Sequence, residues 1–355
     1  MSKKIIHLFN RFENLIDTIP WVELIDHDTP IERLSNLERE LELDSLWVKR
    51  DDKTSQVYGG NKPRKLEFIL ADAKRKGYDS VMTRGGVGSN FCVANAAMCN
   101  KLGLQPAAAL VDQPINPIVK KNLLINLYYK NELYYIRKGS RAKWLKRWMK
   151  LKRRNIYYML TPGGSVPLGT LGFVNAGLEL KNQIDKSKIP EPDYIFVACG
   201  SAGTVAGLAL GLKLAEIKSK IVAVQVSSFI GYEGTVKLAY NTRDMMFKLD
   251  KSVPEVKIDN IIFETDYFGE GYAKPTEDGL AAMELIKKTQ KMELESTYTG
   301  KTLAALIGFV NKKHNSIKKK TILFWNTFSS RDFSEDLKKI NYKDLPKNLH
   351  WIFEK

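Results

Sequence analysis

Short apolar runs alternate with helix-spaced apolar patterns along most of this chain, and that alternation most limits its fold. Leu46-Trp47-Val48-Lys49 reads as a strand. Leu66, Ile69, Leu70 and Ala73 then recur at i, i+3, i+4 and i+7, one face of a helix, with Gly77 as its stop. Residues 80–83 form another short strand, and Ser89 heads a small-residue helix that ends near Gly103. Strands over 107–111, 133–136 and 156–160 follow, with helices between. A second series has a helix from about Leu168, a strand over 194–199, a helix after Gly203 and a strand over 221–226. Strands separated by helices predict parallel sheets covered on both faces and joined by right-handed crossovers.

A chain of 355 residues holds two packed domains or one large α/β unit, and 44% hydrophobic residues argue for a sizeable core rather than disorder. The three cysteines, Cys92, Cys99 and Cys199, are few and odd in number, which predicts a reducing, cytoplasmic setting. The four histidines lack metal-ligand spacing, so no metal site is expected. The N-terminal apolar run is too short for a signal peptide, and no window reaches the roughly 18 apolar residues of a membrane span. The net charge of +16 is compatible with nucleic acid, an acidic membrane surface or a lysine-rich composition. Much of it sits in residues 141–154, with eight positive charges and no acid. Trp144, Leu145, Trp148, Met149 and Leu151 recur there at helical spacing. That pattern suits a basic helix on anionic lipid or nucleic acid. It equally suits a surface helix packed on its own domain, the preferred reading because such a helix needs no partner.

Three glycine-bearing segments carry chemistry. In Gly59-Gly60-Asn61-Lys62-Pro63-Arg64-Lys65-Leu66-Glu67, a lysine lies between a glycine turn and a helix start. Pro63 suits the first helical turn and biases Lys62 away from the α region. The helix dipole and the like charge of Arg64 and Lys65 are expected to depress the Lys62 pKa. A neutral amine there can attack an aldehyde, whereas a solvated basic turn is the plain alternative. In Cys199-Gly200-Ser201-Ala202-Gly203-Thr204, a strand empties into a helix N-terminus and presents free N–H groups that suit phosphate. The segment matches neither a Walker loop nor the dinucleotide fingerprint. Gly85-Gly86-Val87-Gly88-Ser89-Asn90 is expected to turn into a helix and hold a carboxylate, although Ser89 also reads as a simple N-cap. Tyr272 and Tyr298 could equally be packing residues.

A lysine, a phosphate cradle and a carboxylate turn together suggest pyridoxal phosphate acting on an amino acid. The chain resembles the pyridoxal-phosphate enzymes that comprise D-cysteine desulfhydrase and 1-aminocyclopropane-1-carboxylate deaminase, of the tryptophan synthase β-like fold. The matching segments run from Thr29 to Thr327 and include Lys49-Arg50-Asp51-Asp52, Pro162-Gly163-Gly164-Ser165, Gly271-Tyr272 and Tyr298-Thr299-Gly300-Lys301. The resemblance implies two open, twisted, mostly parallel sheets. It also implies a large domain of residues 1–64 and 166–355 and a small inserted domain of residues 65–165. Lys62 would carry the cofactor as a Schiff base and move protons at Cα. Lys65, Gly200, Ser201, Ala202, Gly203 and Thr204 would hold the phosphate. Asn90 would bond the ring 3-oxygen, Ser89 would bind the substrate carboxylate or move a proton, and Tyr272 and Tyr298 would face the substrate. Thr299 would meet the ring nitrogen, where the cyclopropane deaminases place a glutamate.

With Thr327, that threonine favours α,β-elimination of D-cysteine to pyruvate, ammonia and sulfide. Ring opening of the cyclopropane substrate, a related enzyme with another amino acid, and a non-catalytic anionic-surface binder are the alternatives. A homodimer acting on a small amino acid, without nucleic acid, is expected. The chain departs from the family on the substrate side. Gly88 and Phe91 stand where Gln and His are usual, Val93 and Asn95 where Arg and Gln are usual, and Phe328-Ser329 where two glycines are usual. Losing the Gln donor removes a contact worth about 1–3 kcal/mol if charged, and Phe328 could narrow the pocket.

Overall fold

The computed structural model describes residues 6–26, 28–136, 150 and 156–354. The basic segment 141–154 lies outside the described residues apart from Lys150. Two sheets organise the rest. The larger runs β1-β2-β10-β7-β8-β9, built from Ile31–Arg33, Ser45–Lys49, Thr321–Trp325, Tyr194–Cys199, Lys220–Gln225 and Ile261–Glu264. The smaller runs β5-β4-β3-β6, from Glu132–Ile136, Gln105–Val111, Ser80–Gly86 and Tyr158–Met159. Among the described residues only the edge strand β1 pairs antiparallel; every other pairing is parallel. Residues buried on both faces explain why these strands read as continuous apolar runs rather than alternating ones.

Eight helices of twelve or more residues connect and cover the sheets among the described residues. They are α1 (Lys62–Arg75), α2 (Asn90–Leu102), α3 (Pro117–Tyr128), α4 (Pro167–Asp185), α5 (Gly203–Leu214), α6 (Tyr232–Leu249), α7 (Glu277–Gln290) and α8 (Thr299–Ile317). α4 and α5 pack backbone to backbone. A Cβ built on Gly207 would come within 2.5 Å of Thr170 O, and one on Gly211 within 2.6 Å of Val174 O. Only glycine lets these two helices approach so closely.

The structure departs from two of these expectations. Lys62 is the first residue of α1 rather than a residue outside it, with Asn61 as the cap. Gly85 and Gly86 belong to β3, so the turn into α2 is made by Val87 and Gly88. Both errors come from glycine and proline acting as punctuation in sequence, where the β3 ladder to Leu110 and Val111 in fact continues.

A buried ionic cluster fixes α1 to the large sheet. The Arg64 guanidinium donates to both Asp51 oxygens and to Glu179, and Lys49 Nζ donates to Glu179 at 2.5 Å. Trp325 Nε1 completes Asp51 at 2.7 Å. All four charged side chains have zero exposure. Their two positive and two negative charges balance, which makes the burial tolerable. Arg64 therefore spends its charge on these acids and is not what depresses the Lys62 pKa.

The C-terminal segment closes the small sheet. Leu345, Leu349 and Ile352 are buried in one cluster with Val87, Cys92, Leu110 and Val119. Phe333 joins the neighbouring cluster of α1 and α2.

Candidate active site

A cavity of about 630 Å³ opens between the two sheets. It lies beyond the C-terminal ends of parallel strands, where open α/β sheets bind ligands. Its wall includes Lys62, Lys65, Ser89, Asn90, Gly200, Ser201, Ala202, Thr204, Tyr272 and Tyr298. Ten of the expected site residues thus converge from five separate stretches of chain. Thr299 and Gly203 do not line the wall. Gly203 starts α5 just behind it. Thr299 is buried with its hydroxyl against Glu295, at 3.1 Å from Glu295 N.

Lys62 is placed by its neighbours. Gly60 has φ +91°, and a Cβ there would lie 2.8 Å from Thr327 O, so this turn requires glycine. Asn61 donates through its amide nitrogen to Thr204 Oγ1 at 2.9 Å and accepts from Lys62 Nζ at 3.0 Å. The Lys62 ammonium lies 5.7 Å from the centre of the Tyr298 ring. Burial lowers its pKa to about 8, against the opposing charge of Glu295. Loss of hydration rather than the helix dipole or Arg64 is the main cause.

The phosphate-type turn follows β7. Ala202 holds φ +68°, a left-handed backbone that a residue with a Cβ adopts at a cost of about 1–3 kcal/mol. The N–H groups of Ser201, Thr204 and Val205 meet no acceptor among the described residues. Lys65 Nζ donates to Gly163 O at 3.1 Å, and a Cβ on Gly203 would lie 2.9 Å from that nitrogen. Burial pushes the Lys65 pKa well below its usual value, and the nearby Lys62 adds to the effect. Ser165 was not singled out from sequence, yet its hydroxyl bonds Ser201 Oγ at 2.8 Å and accepts Gly203 N–H at 3.2 Å. An anion that met these donors would restore charge to a buried lysine.

A second donor set lies across the cavity at the start of α2. Ser89 Oγ accepts Cys92 N–H at 3.4 Å, so the capping role and an outward hydroxyl proton coexist. The N–H groups of Asn90 and Phe91 meet no acceptor among the described residues. Asn90 Oδ1 is held by the Asn122 amide at 2.8 Å. Gly88 leaves no room for a side chain, since a Cβ would lie 2.7 Å from Val119 and 2.8 Å from Gln113. Its N–H donates to Gln113 Oε1 at 3.1 Å.

Tyr272 and Tyr298 share a hydrogen bond of 2.7 Å, and burial raises both phenol pKa values. Glu295 is the one acid on the wall among the described residues. It accepts N–H bonds from Thr297, Tyr298 and Thr299 at 2.9, 2.7 and 2.9 Å. Burial raises its pKa against those three donors. Sequence gave no sign of this role, because a lone glutamate ahead of a helix reads only as a surface acid. Phe328 and Phe229 also line the cavity, Phe229 being 64% exposed at its mouth.

A family model described as pyridoxal-phosphate dependent enzyme matches residues 22–327. The chain belongs to the pyridoxal-phosphate dependent enzymes. Among its relatives is a D-cysteine desulfhydrase of Klebsiella pneumoniae, 34% identical over 307 residues, covering 83% of this chain and 89% of the relative. Another, from Serratia proteamaculans, is 34% identical over 296 residues, covering 81% and 87%. The crystal structure of an ACC deaminase homologue superposes with a TM-score of 0.75 at 30% identity, covering 92% of this chain and 98% of that one. Threonine deaminase isoform 2 from Solanum lycopersicum shares the fold at 16% identity, with a TM-score of 0.61 and coverage of 98% and 87%. As expected from sequence, the fold is the mostly parallel two-sheet architecture of these pyridoxal-phosphate enzymes. Pyridoxal phosphate fits the donor set of this pyridoxal-phosphate enzyme. One cavity holds a lysine of lowered pKa for its aldehyde and a turn of free N–H groups with a second lysine for its phosphate.

Proposed function

We propose that the chain eliminates a β-substituent from a small amino acid, with D-cysteine giving pyruvate, ammonia and sulfide. One observation carries this reading. Lys62 shares its cavity with two separate sets of free donors, one at Ser201–Thr204 and one at Ser89–Asn90. A phosphate-bearing aldehyde cofactor and an amino-acid carboxylate need such an arrangement. The 34% identity to D-cysteine desulfhydrases supports the choice of substrate.

In this reading Lys62, Lys65, Gly200, Ser201, Ala202, Gly203 and Thr204 hold the cofactor, whose ring acts as an electron sink for charge at Cα. Asn90, which lies on the wall, would bond the ring 3-oxygen. Ser89 Oγ and the N–H groups of Asn90 and Phe91 orient the substrate carboxylate. The Lys62 amine accepts the proton when the Cα–H bond breaks. The bonded pair Tyr272 and Tyr298 gives a proton to the sulfur as the Cβ–S bond breaks and sulfur keeps its electrons. The released enamine takes up water and yields pyruvate and ammonia. Thr299, behind the wall and held by Glu295, would meet the ring nitrogen, and a hydroxyl there would favour an unprotonated ring.

The proposed small domain of residues 65–165 provides the carboxylate side and, through Lys65, part of the phosphate side, which the large domain completes. A cytoplasmic homodimer belongs to the same proposal; three free, buried cysteines fit a reducing setting.

The visible spectrum with and without D-cysteine, together with pyruvate release, tests the reading. Wild type is expected to be coloured with cofactor and to respond to D-cysteine. Protein that stays colourless, or a Lys62→Ala variant with full activity, overturns it. Ring opening of 1-aminocyclopropane-1-carboxylate is a second reading, favoured by the similarity to the ACC deaminase homologue. Comparing keto-acid release from the two substrates separates them.

A further inference from the structure

We infer that Asn122 is a positioning residue that sets which end of the Asn90 amide faces the cofactor. The inference rests on the reading above, in which Asn90 meets the ring 3-oxygen, and names the residue behind that contact.

An asparagine amide has two ends of nearly equal shape and opposite polarity. The nitrogen end donates and the oxygen end accepts. A ring oxygen that carries negative charge needs a donor, so only one of the two orientations of Asn90 serves it.

The contacts of Asn122 decide between them. Its Nδ2 lies 2.9 Å from Gly88 O and 2.8 Å from Asn90 Oδ1. A backbone oxygen only accepts, so the Asn122 atom beside Gly88 O is the nitrogen. The second hydrogen of that nitrogen then requires an acceptor at Asn90, which is Oδ1. Asn90 Nδ2 is thereby turned away from Asn122. It meets no acceptor among the described residues, it is not sealed from solvent, and its residue lines the cavity.

Asn122 is itself held in place. It is buried on α3, three residues after Val119, and residues so spaced share a helix face. A Cβ built on Gly88 would lie 2.7 Å from Val119 Cγ2, so one face of α3 both shapes the turn at Gly88 and orients Asn90. Asn126 Nδ2 donates to Asn122 O at 2.8 Å, and Asn131 Nδ2 donates to Asn126 Oδ1 at 2.6 Å. Asn122 does not line the cavity, so it acts through Asn90.

Spectra of the cofactor-loaded protein test this. The bound cofactor absorbs in the visible with its 3-oxygen ionised and in the near ultraviolet with that oxygen protonated, so the ratio of the two bands reports the donor. Asn122→Asp sets oxygens against Asn90, whose amide then turns its nitrogen to them and its oxygen to the ring. Asn122→Ala leaves the amide free to take either orientation. Asn90→Asp spares the buried Asn122 and still accepts from it, but brings an oxygen to the ring in place of the nitrogen. The visible to near-ultraviolet ratio is expected to fall about 3- to 10-fold in Asn122→Asp and Asn90→Asp, the effect of one hydrogen bond, and by less in Asn122→Ala. A fall in Asn90→Asp with a wild-type ratio in both Asn122 variants overturns the inference and leaves the Asn90 contact standing. A larger fall in Asn122→Ala than in Asn122→Asp also overturns it, since packing rather than donation then sets the ratio. Should the Asn122 variants fail to fold, a wild-type ratio in Asn90→Asp still overturns it. Colourless wild type overturns the lyase reading and this inference together. If the ratios fall in the expected order while no amino acid yields pyruvate, the role of Asn122 stands and the lyase reading fails.

Discussion

At the scale of single residues, the site works by taking charge out of water. The Lys62 pKa near 8 arises from burial, with Glu295 pulling it the other way. The neutral amine is the form that captures an aldehyde. Below pH 8 the capture rate of cofactor-free protein should therefore fall about tenfold per pH unit, and above pH 8 it should level off. Absorbance kinetics after mixing with pyridoxal phosphate measure this. A profile that keeps climbing towards the ordinary lysine value would show that the amine is solvated. Glu295 gives a second expectation. Glu295→Ala leaves three N–H groups at the start of α8 without their acceptor, and should cost about 1–3 kcal/mol in denaturant unfolding. Glu295→Gln keeps one acceptor oxygen and should recover part of that loss.

At the scale of elements, the phosphate turn is only as well placed as the helix that carries it. α5 is held against α4 by glycines, and Gly207→Leu would drive a side chain into Thr170 O and Phe173. A cost of about 1–3 kcal/mol is expected, with weaker cofactor binding because the N-terminus of α5 moves. Gly231→Ala, which meets nothing within 4 Å, serves as control and should stay within about 0.5 kcal/mol of wild type. Urea unfolding and cofactor titration check both. Element order was readable in sequence because strands buried on both faces appear as apolar runs. The end of β3 was not, because Gly85 and Gly86 carry no side chain to mark the strand period. Lys62 stood out through its glycine and proline neighbours. Arg64 and Lys65 look alike in sequence, yet one joins Asp51 and Glu179, 13 and 115 residues away, and the other reaches Gly163. Such partners belong to the tertiary fold, and local pattern has no access to them. The same limit hid Ser165 and Glu295.

At the scale of the whole molecule, the two donor sets stand on different sheets, so their placement can be disturbed separately. The Ser201–Val205 turn hangs from the large sheet, whereas the Ser89–Phe91 turn hangs from the small one. The C-terminal segment packs beneath the second of these, with Leu349 at 0% exposure in the cluster that holds Val87 and Cys92. Val87 lies two residues before Ser89, and Cys92 N–H bonds the Ser89 hydroxyl. Leu349→Ala should open a cavity under that turn at a cost of about 2–5 kcal/mol. Because the loss falls on the small sheet, the KM for the amino acid should rise several-fold, while the dissociation constant for pyridoxal phosphate stays near its wild-type value. Steady-state kinetics and cofactor titration on the same preparation read the two effects. Parallel weakening of both would mean that the sheets move as one body and that the cavity has no separable halves. An unchanged KM in a destabilised variant would mean that the C-terminal segment stabilises the fold without setting the position of Ser89.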